Sequence, residues 1–255
     1  MKPIVVVPTY NEAGTIEEVV TRAMEAGPQW DILVVDDNSP DGTGAIVERL
    51  GREDARIHLL SEQEKGGLGA AYRRGFDWAF ARDYDVICQM DGDLSHDPRD
   101  LPRLVGALEH ADWAIGSRYV GGGGTVGWPL WRRLISKGGN LYVRLMTGLR
   151  TRDTTAGFRA YHRHVLVALD PQSSVSDGYS FQIELAIRAQ QAGFRHQEIP
   201  IIFRERIAGV SKFGFSIFRE AIFRVFVWGL WRRARAVRRL ASRLRHGTLR
   251  HRRAD

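Results

Sequence analysis

Residues 32–43 read ILVVDDNSPDGT, and this stretch sets the class of fold. Four consecutive apolar residues predict a strand buried on both faces, and the polar turn after them leads into a helical pattern over 42–50. Residues 4–7, 57–60 and 86–90 are further apolar runs, and each is followed by a polar loop and a helical pattern. Because strands that alternate with helices form βαβ units, we expect an α/β fold with a mostly parallel sheet and helices on both faces.

Each of the four predicted strands ends at a polar or glycine-rich loop. These loops are TYNE (9–12), DDNS (36–39), KGGLG (65–69) and DGD (91–93). The carboxyl ends of parallel strands meet at one edge of a sheet, which is where open α/β sheets bind their ligands. The sequence therefore predicts a functional site at this edge.

The DGD loop is the most informative of the four. The two carboxylates of Asp91 and Asp93 can hold a hard divalent cation that bridges phosphate oxygens. The glycine between them allows a nucleotide to approach the backbone closely. An EF-hand calcium loop does not fit, because His96 stands where glycine is required and Pro102 where glutamate is required. A plain surface turn is the alternative, and the position at the sheet edge favours the functional interpretation.

Other polar residues leave two interpretations open. Asp36 and Asp37 are either turn residues or hydrogen-bond partners of a base or ribose. Glu12 either favours the first turn of a helix or faces a ligand. Several basic residues are either solvated charges or partners of substrate phosphates, namely Arg118, Arg132, Arg133, Lys137, Arg206 and Lys212.

The C-terminal part differs from the rest in charge. Ten arginines and one acid fall within 232–255, a local charge of +9, whereas the other residues hold 27 basic and 29 acidic side chains, or −2. Residues 215–231 are apolar and aromatic but interrupted by Arg219, Glu220 and Arg224, so they predict an amphipathic helix on a membrane surface and not a spanning one. We divide the chain into a catalytic domain (1–214), this helix (215–231) and a basic tail (232–255).

Composition bounds the compartment and the partners. The chain of 255 residues is 44% hydrophobic, and Cys88 is its single cysteine, which excludes an internal disulfide framework. Because Met1 leads directly into an apolar strand, we expect no secretory signal and a cytoplasmic location. The arginine tail attracts either nucleic acid or an anionic membrane. The sequence contains no recognised nucleic-acid-binding motif, and the tail directly follows an amphipathic aromatic stretch, so we favour the membrane.

The motifs in their order resemble a known family. VVVPTYNE, ILVVDDNSPDGT, KGGLGAAYRRGF, MDGDLSHDP, IGSRY, WRRLISKGGN, DTTAGFRAY and RIAGVSKFG occur in this succession over residues 5–214. The sequence is similar to the dolichol-phosphate mannosyltransferases, or polyprenol monophosphomannose synthases, of the family 2 glycosyltransferases. The resemblance implies a GT-A fold with a Rossmann-like sheet. It also implies inverting transfer of mannose from GDP-mannose to a polyprenyl (dolichyl-type) monophosphate.

The resemblance also implies a role for individual residues. The guanosine part of the donor would contact Pro8, Tyr10, Glu12, Val35 and Asp37, with Gly92 against the nucleotide. Mg²⁺ or Mn²⁺ would bind Asp91 and Asp93, with Ser95 as a further ligand, directly or through water. The lipid phosphate would contact Arg118, Arg132 and Ser136, and the donor diphosphate would contact Arg206 and Lys212. Arg118 is also counted with Asp91 and Asp93 as catalytic.

Alternatives remain at this stage. A polyprenyl-phosphate glucosyltransferase using a UDP-sugar is the nearest one, and a hydroxyl acceptor with Asp177 as base is a second. A basic nucleic-acid-binding protein is the alternative from a different class. We expect a peripheral protein on the cytoplasmic face of an anionic membrane, which could have a membrane-protein partner and does not bind nucleic acid.

Overall fold

A computed structural model describes residues 1–27, 29–205 and 219–233 of the chain. The strands in this part are β1 (Pro3–Thr9), β2 (Asp31–Asp36), β3 (Ile57–Ser61), β4 (Val86–Gln89), β5 (Trp113–Ser117), β6 (Gly124–Val126), β7 (Arg159–His162), β8 (His196–Pro200) and β9 (Ile202–Arg204). The α-helices are α1 (Ile16–Glu25), α2 (Thr43–Glu53), α3 (Leu68–Phe80), α4 (Leu101–Gly106), α5 (Leu130–Thr147), α6 (Arg163–Leu169), α7 (Gly178–Gln191) and α8 (219–233).

Seven strands form one sheet in the order β3-β2-β1-β4-β7-β5-β8. The pairs β3–β2, β2–β1, β1–β4 and β5–β8 are parallel, and β7 runs antiparallel to both of its neighbours. The predicted mostly parallel α/β sheet is therefore confirmed. The strand order reverses between β1 and β4, and this is the position at which open α/β sheets leave a crevice for a ligand.

Helices cover both faces of the sheet, as the strand composition predicts. Along β1, Val5 and Val7 pack into one buried cluster with residues of α1, α2 and α4, whereas Ile4 and Val6 pack into a second cluster with α3, α6 and α7. All four side chains are 0% exposed. Such continuous burial explains why the strand carries no polar alternation.

The second half of the chain departs from the expected elements in two places. The antiparallel β7 and the short helix α6 lie within a region to which the sequence pattern assigned neither. Residues 194–204 contain two strands: β8 pairs with β5, and β9 pairs with β6 in a separate two-stranded sheet. The break falls at Ile201, whose N–H donates to Ser117 O of β5 at 3.1 Å and whose carbonyl accepts from Gly124 N of β6 at 3.0 Å, so the chain passes from one sheet to the other at this residue.

Helix α8 packs along α5. Tyr142 Oη donates to the carbonyl of Ile222 at 3.2 Å, and Gly229 lies so close to α5 that a Cβ atom there would be 2.8 Å from Met146 Cε. The amphipathic helix was predicted over 215–231; residues 215–218 lie outside the described part, and the helix continues to residue 233, two residues into the predicted tail. Arginine is a good helix former, so Arg232 and Arg233 extend the helix readily. The rest of the tail lies outside the described residues.

Candidate active site

The DGD loop leaves the central strand β4 at the crevice edge. The Asp91 side chain is 34% exposed, whereas Asp93 is buried, and Asp93 Oδ1 accepts a hydrogen bond from the backbone N–H of Ser95 at 3.0 Å. Leu94 between them has a φ of 60°, a left-handed conformation that is uncommon for a leucine and typical of strained functional loops. The loop thus fixes one carboxylate and presents the other to the crevice.

Ser95 and His96 lie under the two aspartates. The Ser95 hydroxyl is buried and has no hydrogen-bond partner among the described residues. His96 Nδ1 lies 3.8 Å from Asp91 Oδ2, and its ring stacks on Phe158 at 5.0 Å. In the described part of the chain, no three His, Cys, Asp or Glu side chains cluster as a complete metal site. Any cation held by Asp91 and Asp93 therefore needs further oxygen ligands, such as the Ser95 hydroxyl or substrate oxygens.

The TYNE loop after β1 is tied to the DGD loop. The Thr15 hydroxyl donates to the carbonyl of Gly92 at 2.8 Å, and a Cβ on Gly92 would lie 3.1 Å from Thr9 Cγ2. Thr15 directly precedes α1, but its hydroxyl does not cap the helix, because it bonds across to the neighbouring loop. Asn11 has a φ of 57°, a second left-handed residue in the loops of this edge.

The predicted nucleotide residues of β1 and its loop lie at the same edge. Glu12 is buried, and its backbone N–H donates to Thr43 Oγ1 at 3.0 Å. Pro8 and Tyr10 are half-buried, and the Lys65 ammonium lies 3.5 Å from the centre of the Tyr10 ring. Val35 is different: its side chain is fully buried and contacts α3, so any contribution of Val35 to a ligand site comes from its backbone.

Asp37 organises the glycine loop before α3. Its carboxylate accepts hydrogen bonds from the backbone N–H of Gly66 at 2.7 Å and of Gly67 at 2.9 Å. Asp177, at the start of α7, accepts a short hydrogen bond from the Gly69 N–H. Both carboxylates thus hold this glycine loop in place.

A cluster of basic and aromatic side chains lies at the end of β5. The Arg118 guanidinium donates from Nε to Asp153 Oδ2 at 2.7 Å and from Nη2 to Asp153 Oδ1 at 2.6 Å. The pair is buried, with the two side chains 8% and 0% exposed. Burial alone would lower the pKa of Arg118, but the attraction of Asp153 outweighs it, and the pKa lies above its usual value. The cation is therefore permanently charged and fixed in place.

Arg132 and Ser136 join Arg118 through aromatic side chains, so the structure brings the three predicted phosphate residues together. The Trp128 ring centre is 5.5 Å from the Arg118 guanidinium and 4.2 Å from that of Arg132. Tyr119 Oη donates to Ser136 Oγ at 2.6 Å. Burial raises the pKa of Tyr119, which keeps this phenol neutral and able to donate. We call Arg118, Arg132, Ser136, Tyr119 and Trp128 the cation cluster.

Two predicted site residues, Arg206 and Lys212, lie outside the described residues. Glu205, just before them, accepts a hydrogen bond from Arg132 Nη1 at 2.9 Å. The sequence pattern missed Glu205, Trp128 and Asp153. The available signal for Asp153 was its place in the DTTAGFRAY motif, but its partner Arg118 is 35 residues away in the chain.

The segment 153–157 connects the cation cluster to the aspartates. Arg118 holds its first residue, and a Cβ on Gly157 at its other end would lie 3.2 Å from Asp91 Oδ1. Asn140 on α5 accepts hydrogen bonds from the backbone N–H and the hydroxyl of Thr154 at 2.7 and 2.8 Å. This segment therefore links the acidic oxygen ligands of the DGD loop to the fixed cations of the cation cluster, an arrangement suited to two anionic substrates and a metal ion.

This fold and site define an α/β enzyme that binds ligands at the carboxyl edge of a mostly parallel sheet. Residues 4–169 match the sequence profile of Glycosyl transferase family 2. The chain belongs to this family and is a glycosyltransferase.

Two relatives are similar over most of their length. The chain is 50% identical over 232 residues to a polyprenol monophosphomannose synthase of Mycolicibacterium smegmatis, which covers 90% of this chain and 87% of the relative. It is 46% identical over 230 residues to an undecaprenyl-phosphate mannosyltransferase of Micrococcus luteus, which covers 90% of this chain and 95% of the relative.

Solved structures share the fold at lower identity. A glucosyl-3-phosphoglycerate synthase of Mycobacterium tuberculosis, solved with Mn²⁺ and UDP-glucose, has a TM-score of 0.64 at 20% identity and covers 91% of this chain and 78% of its own. A mannosyltransferase of Pyrobaculum calidifontis, solved with GDP-mannose and Mn²⁺, has a TM-score of 0.57 at 20% identity and covers 93% of this chain and 64% of its own. The predicted GT-A type of fold agrees with these neighbours.

Proposed function

We propose that this glycosyltransferase transfers mannose from GDP-mannose to a polyprenyl monophosphate with inversion, giving polyprenyl β-mannosyl phosphate and GDP. The observation that carries the proposal is the cation cluster, which the segment 153–157 links to Asp91. An acceptor that is itself a phosphate requires such fixed cations, whereas a neutral sugar hydroxyl does not. The names of the two relatives point to the same acceptor and the same sugar.

The donor would lie along the loops after β1, β2 and β4. We assign the guanosine part to Pro8, Tyr10, Glu12 and the backbone of Val35, with Gly92 against the nucleotide. Asp37 would contribute to donor binding either directly or by holding the glycine loop, since its carboxylate accepts hydrogen bonds from the backbone N–H groups of Gly66 and Gly67. Arg206 and Lys212 are proposed for the diphosphate on the strength of the resemblance alone.

A divalent cation fits the DGD loop. Asp91 and Asp93 supply hard carboxylate oxygens, and the buried Ser95 hydroxyl beside them lacks a partner in the described part of the chain. When bound, Mg²⁺ or Mn²⁺ would neutralise charge on the leaving diphosphate. The structures of two neighbours contain Mn²⁺ with a nucleotide sugar, which supports a divalent ion without choosing between the two metals.

The acceptor phosphate would be held by Arg118, Arg132 and Ser136. A phosphate monoester is already ionised at neutral pH, so its oxygen can attack the sugar without a general base. The chain's task is then to hold two anions close together in line and to screen their repulsion. A single displacement of this kind inverts the configuration at the sugar.

A membrane surface would deliver the lipid. The helices α5 and α8, which lie side by side, carry large apolar side chains that are 42–70% exposed, namely Leu130, Trp131, Leu134, Ile135, Leu141, Leu145, Ile222, Phe223, Phe226, Leu230 and Trp231. Exposed apolar surface of this extent beside basic residues is typical of proteins that bind an anionic membrane peripherally. No helix among the described residues is long and apolar enough to cross a bilayer.

We infer that α5, α8 and the basic tail (232–255) bind the cytoplasmic face of an anionic membrane. A membrane-protein partner would add to this binding. Replacement of Leu134 and Phe223 by serine should reduce sedimentation with vesicles of anionic lipid, while transfer to a short soluble acceptor is preserved. Val167 lies at 55% exposure on α6, outside these two helices, and Val167→Ser is the matched control. Equal binding to DNA and to vesicles in low salt would instead favour the nucleic-acid alternative.

Donor choice tests the proposal most sharply. The purified chain is incubated with polyprenyl phosphate and labelled GDP-mannose, UDP-glucose or GDP-glucose, with Mg²⁺ or Mn²⁺. We expect label in the organic phase from GDP-mannose at least tenfold above the other donors. A preference for UDP-glucose would establish the glucosyltransferase alternative. If label appears on a hydroxyl acceptor and the Asp177→Asn variant no longer transfers it, the alternative with a hydroxyl acceptor and Asp177 as base would be established.

A further inference from the structure

The segment 153–157 carries one polar side chain that is partly exposed. Asp153, Thr154 and Ala156 are at most 4% exposed, whereas Thr155 between them is half-buried. Thr155 is therefore the polar side chain of this segment that a ligand can reach, and two residues further on a Cβ atom on Gly157 would lie 3.2 Å from Asp91 Oδ1. No role follows for Thr155 from the sequence motif or from the relatives.

The Thr155 hydroxyl is held by Arg118. Arg118 Nη2 donates to Asp153 Oδ1 at 2.6 Å and to Thr155 Oγ1 at 3.0 Å, which uses both protons of this nitrogen. Because the threonine oxygen accepts here, its own proton points elsewhere. A hydroxyl has one donor and two acceptor positions, so Thr155 can still donate to a ligand.

Asp153 also limits what Arg118 can offer. A free guanidinium binds a phosphate through a fork of two parallel N–H groups. Here Asp153 occupies the fork formed by Nε and Nη2, so Nη1 is the nitrogen left for a ligand among the contacts to described residues. A phosphate beside Arg118 therefore receives fewer hydrogen bonds from the cation and needs another donor close to it.

The segment is rigid enough to place that donor. The buried Arg159 donates from Nη2 to Thr154 O at 3.0 Å and from Nε to Ala156 O at 2.8 Å, so it binds the backbone on both sides of Thr155. The side chain of Thr154 is fixed by Asn140. Little conformational entropy would be lost when Thr155 binds a ligand.

We propose that Thr155 is a further binding residue for the acceptor, and that its hydroxyl donates to a phosphate oxygen of the prenyl monophosphate beside Arg118. The assignment rests on the proposed function in that it takes the cation cluster as the acceptor site. It adds a neutral donor between that cluster and Asp91, where the acceptor phosphate and the sugar must meet.

Direct binding tests this without relying on turnover. A short soluble prenyl monophosphate is titrated calorimetrically into the full chain, its Thr155→Val variant and its Thr155→Ser variant, without metal or donor. Valine has the shape of threonine but no hydroxyl, and serine keeps the hydroxyl. We expect Thr155→Val to weaken binding about tenfold, because a hydrogen bond to a charged group is lost, and Thr155→Ser to stay within about threefold of the parent chain.

Thr154→Val is the matched control in the same segment. It removes a buried hydroxyl that bonds Asn140, so it should lower the melting temperature while leaving phosphate binding closer to the parent than Thr155→Val does. The proposal is overturned if Thr155→Val binds as tightly as the parent, if Thr155→Ser is weakened as much as Thr155→Val, or if the parent chain does not bind the phosphate at all. Phosphate binding that depends on Thr155 without any mannose transfer would instead overturn the proposed function and leave the assignment intact.

Discussion

The two sides of the crevice are built in different ways. On the donor side, the carboxylates of Asp37 and Asp93 are held by backbone N–H groups of loops that directly follow strands. On the acceptor side, Arg118 and Arg132 are held by carboxylates 35 and 73 residues away in the chain and by aromatic rings. The donor side is therefore a product of local loop structure at a sheet edge, and the acceptor side is a product of tertiary packing.

This difference has an electrostatic consequence. The donor side is acidic and suits a metal ion, whereas the acceptor side consists of cations that carboxylates keep in place. We infer that each anionic substrate binds to a different positive partner. The donor diphosphate would be neutralised by a metal cation on the aspartates, and the acceptor phosphate by arginine. Substitutions on each side should then affect one substrate more than the other.

The largest effect is expected on the donor side. Asp91→Asn or Asp93→Asn should lower kcat/KM for mannose transfer by roughly 10³-fold, since the leaving diphosphate loses its charge neutralisation. Steady-state kinetics with Mn²⁺, together with circular dichroism to verify the fold, provide the measurement.

Asp97→Asn is the matched control for this prediction. Asp97 belongs to the same loop but caps the turn that follows, accepting from the Arg99 N–H at 3.1 Å. Because asparagine caps a helical turn as well as aspartate does, this variant should leave both stability and activity nearly unchanged. Near-normal activity of both Asp91→Asn and Asp93→Asn would show that transfer does not depend on a metal ion held by these two aspartates.

The contrast between the sides also explains what the sequence could predict. The loops after β1, β2, β3 and β4 were located correctly because each follows an apolar run, and a parallel sheet brings such ends together. The antiparallel β7 was missed because only four residues form it, Arg159–His162, and one of them is a buried arginine that no strand pattern anticipates.

Long-range partners were beyond the reach of a sequence pattern. The family resemblance singled out Arg118, Arg132 and Ser136 as candidates, but it did not point to Asp153, Trp128 and Glu205, which contact the two arginines. Nothing in the residues next to Arg118 shows that the carboxylate of a distant loop accepts the paired hydrogen bonds of its guanidinium. Roles that depend on such partners become visible only when the chain is folded.

A second prediction concerns the buried pair on the acceptor side. Asp153→Asn leaves the buried Arg118 without its counter-charge, and we expect the free energy of unfolding to fall by about 3–5 kcal/mol. Chemical denaturation measures it. Asp54→Asn is the control, because its ion pair with Arg56 is partly exposed and should contribute less than the fully buried pair. A loss for Asp153→Asn no larger than for the control would show that the cation cluster does not depend on this pair.

Arg132 allows a milder test of the division between the sides. Arg132→Ala should raise KM for polyprenyl phosphate about tenfold and change KM for GDP-mannose less than twofold, because only the acceptor loses a charge-assisted hydrogen bond. The neighbouring Arg133 is exposed and bonds the Thr125 carbonyl at 3.1 Å, so Arg133→Ala serves as the control with a short soluble acceptor. A larger change in KM for GDP-mannose than in KM for polyprenyl phosphate would show that Arg132 contacts the donor and not the acceptor.

The smallest effect is expected at Glu205. Its carboxylate, 45% exposed, pairs with Arg132, which is 27% exposed, and would compete with the proposed acceptor phosphate for this arginine. Glu205→Gln should lower KM for polyprenyl phosphate by about two- to fivefold, consistent with the small free energy of an exposed ion pair. An increase in this KM would show instead that Glu205 positions Arg132 for the substrate.

The central claim is that a cation on Asp91 and Asp93 and a fixed group of arginines together transfer mannose to a lipid phosphate. It is tested most directly by following label from GDP-mannose into the organic phase with polyprenyl phosphate, in Mn²⁺ and in excess chelator. We predict a mannosylated lipid in Mn²⁺ and a loss of at least 100-fold in chelator. Equal rates in the two conditions, or no labelled lipid in Mn²⁺, would contradict it.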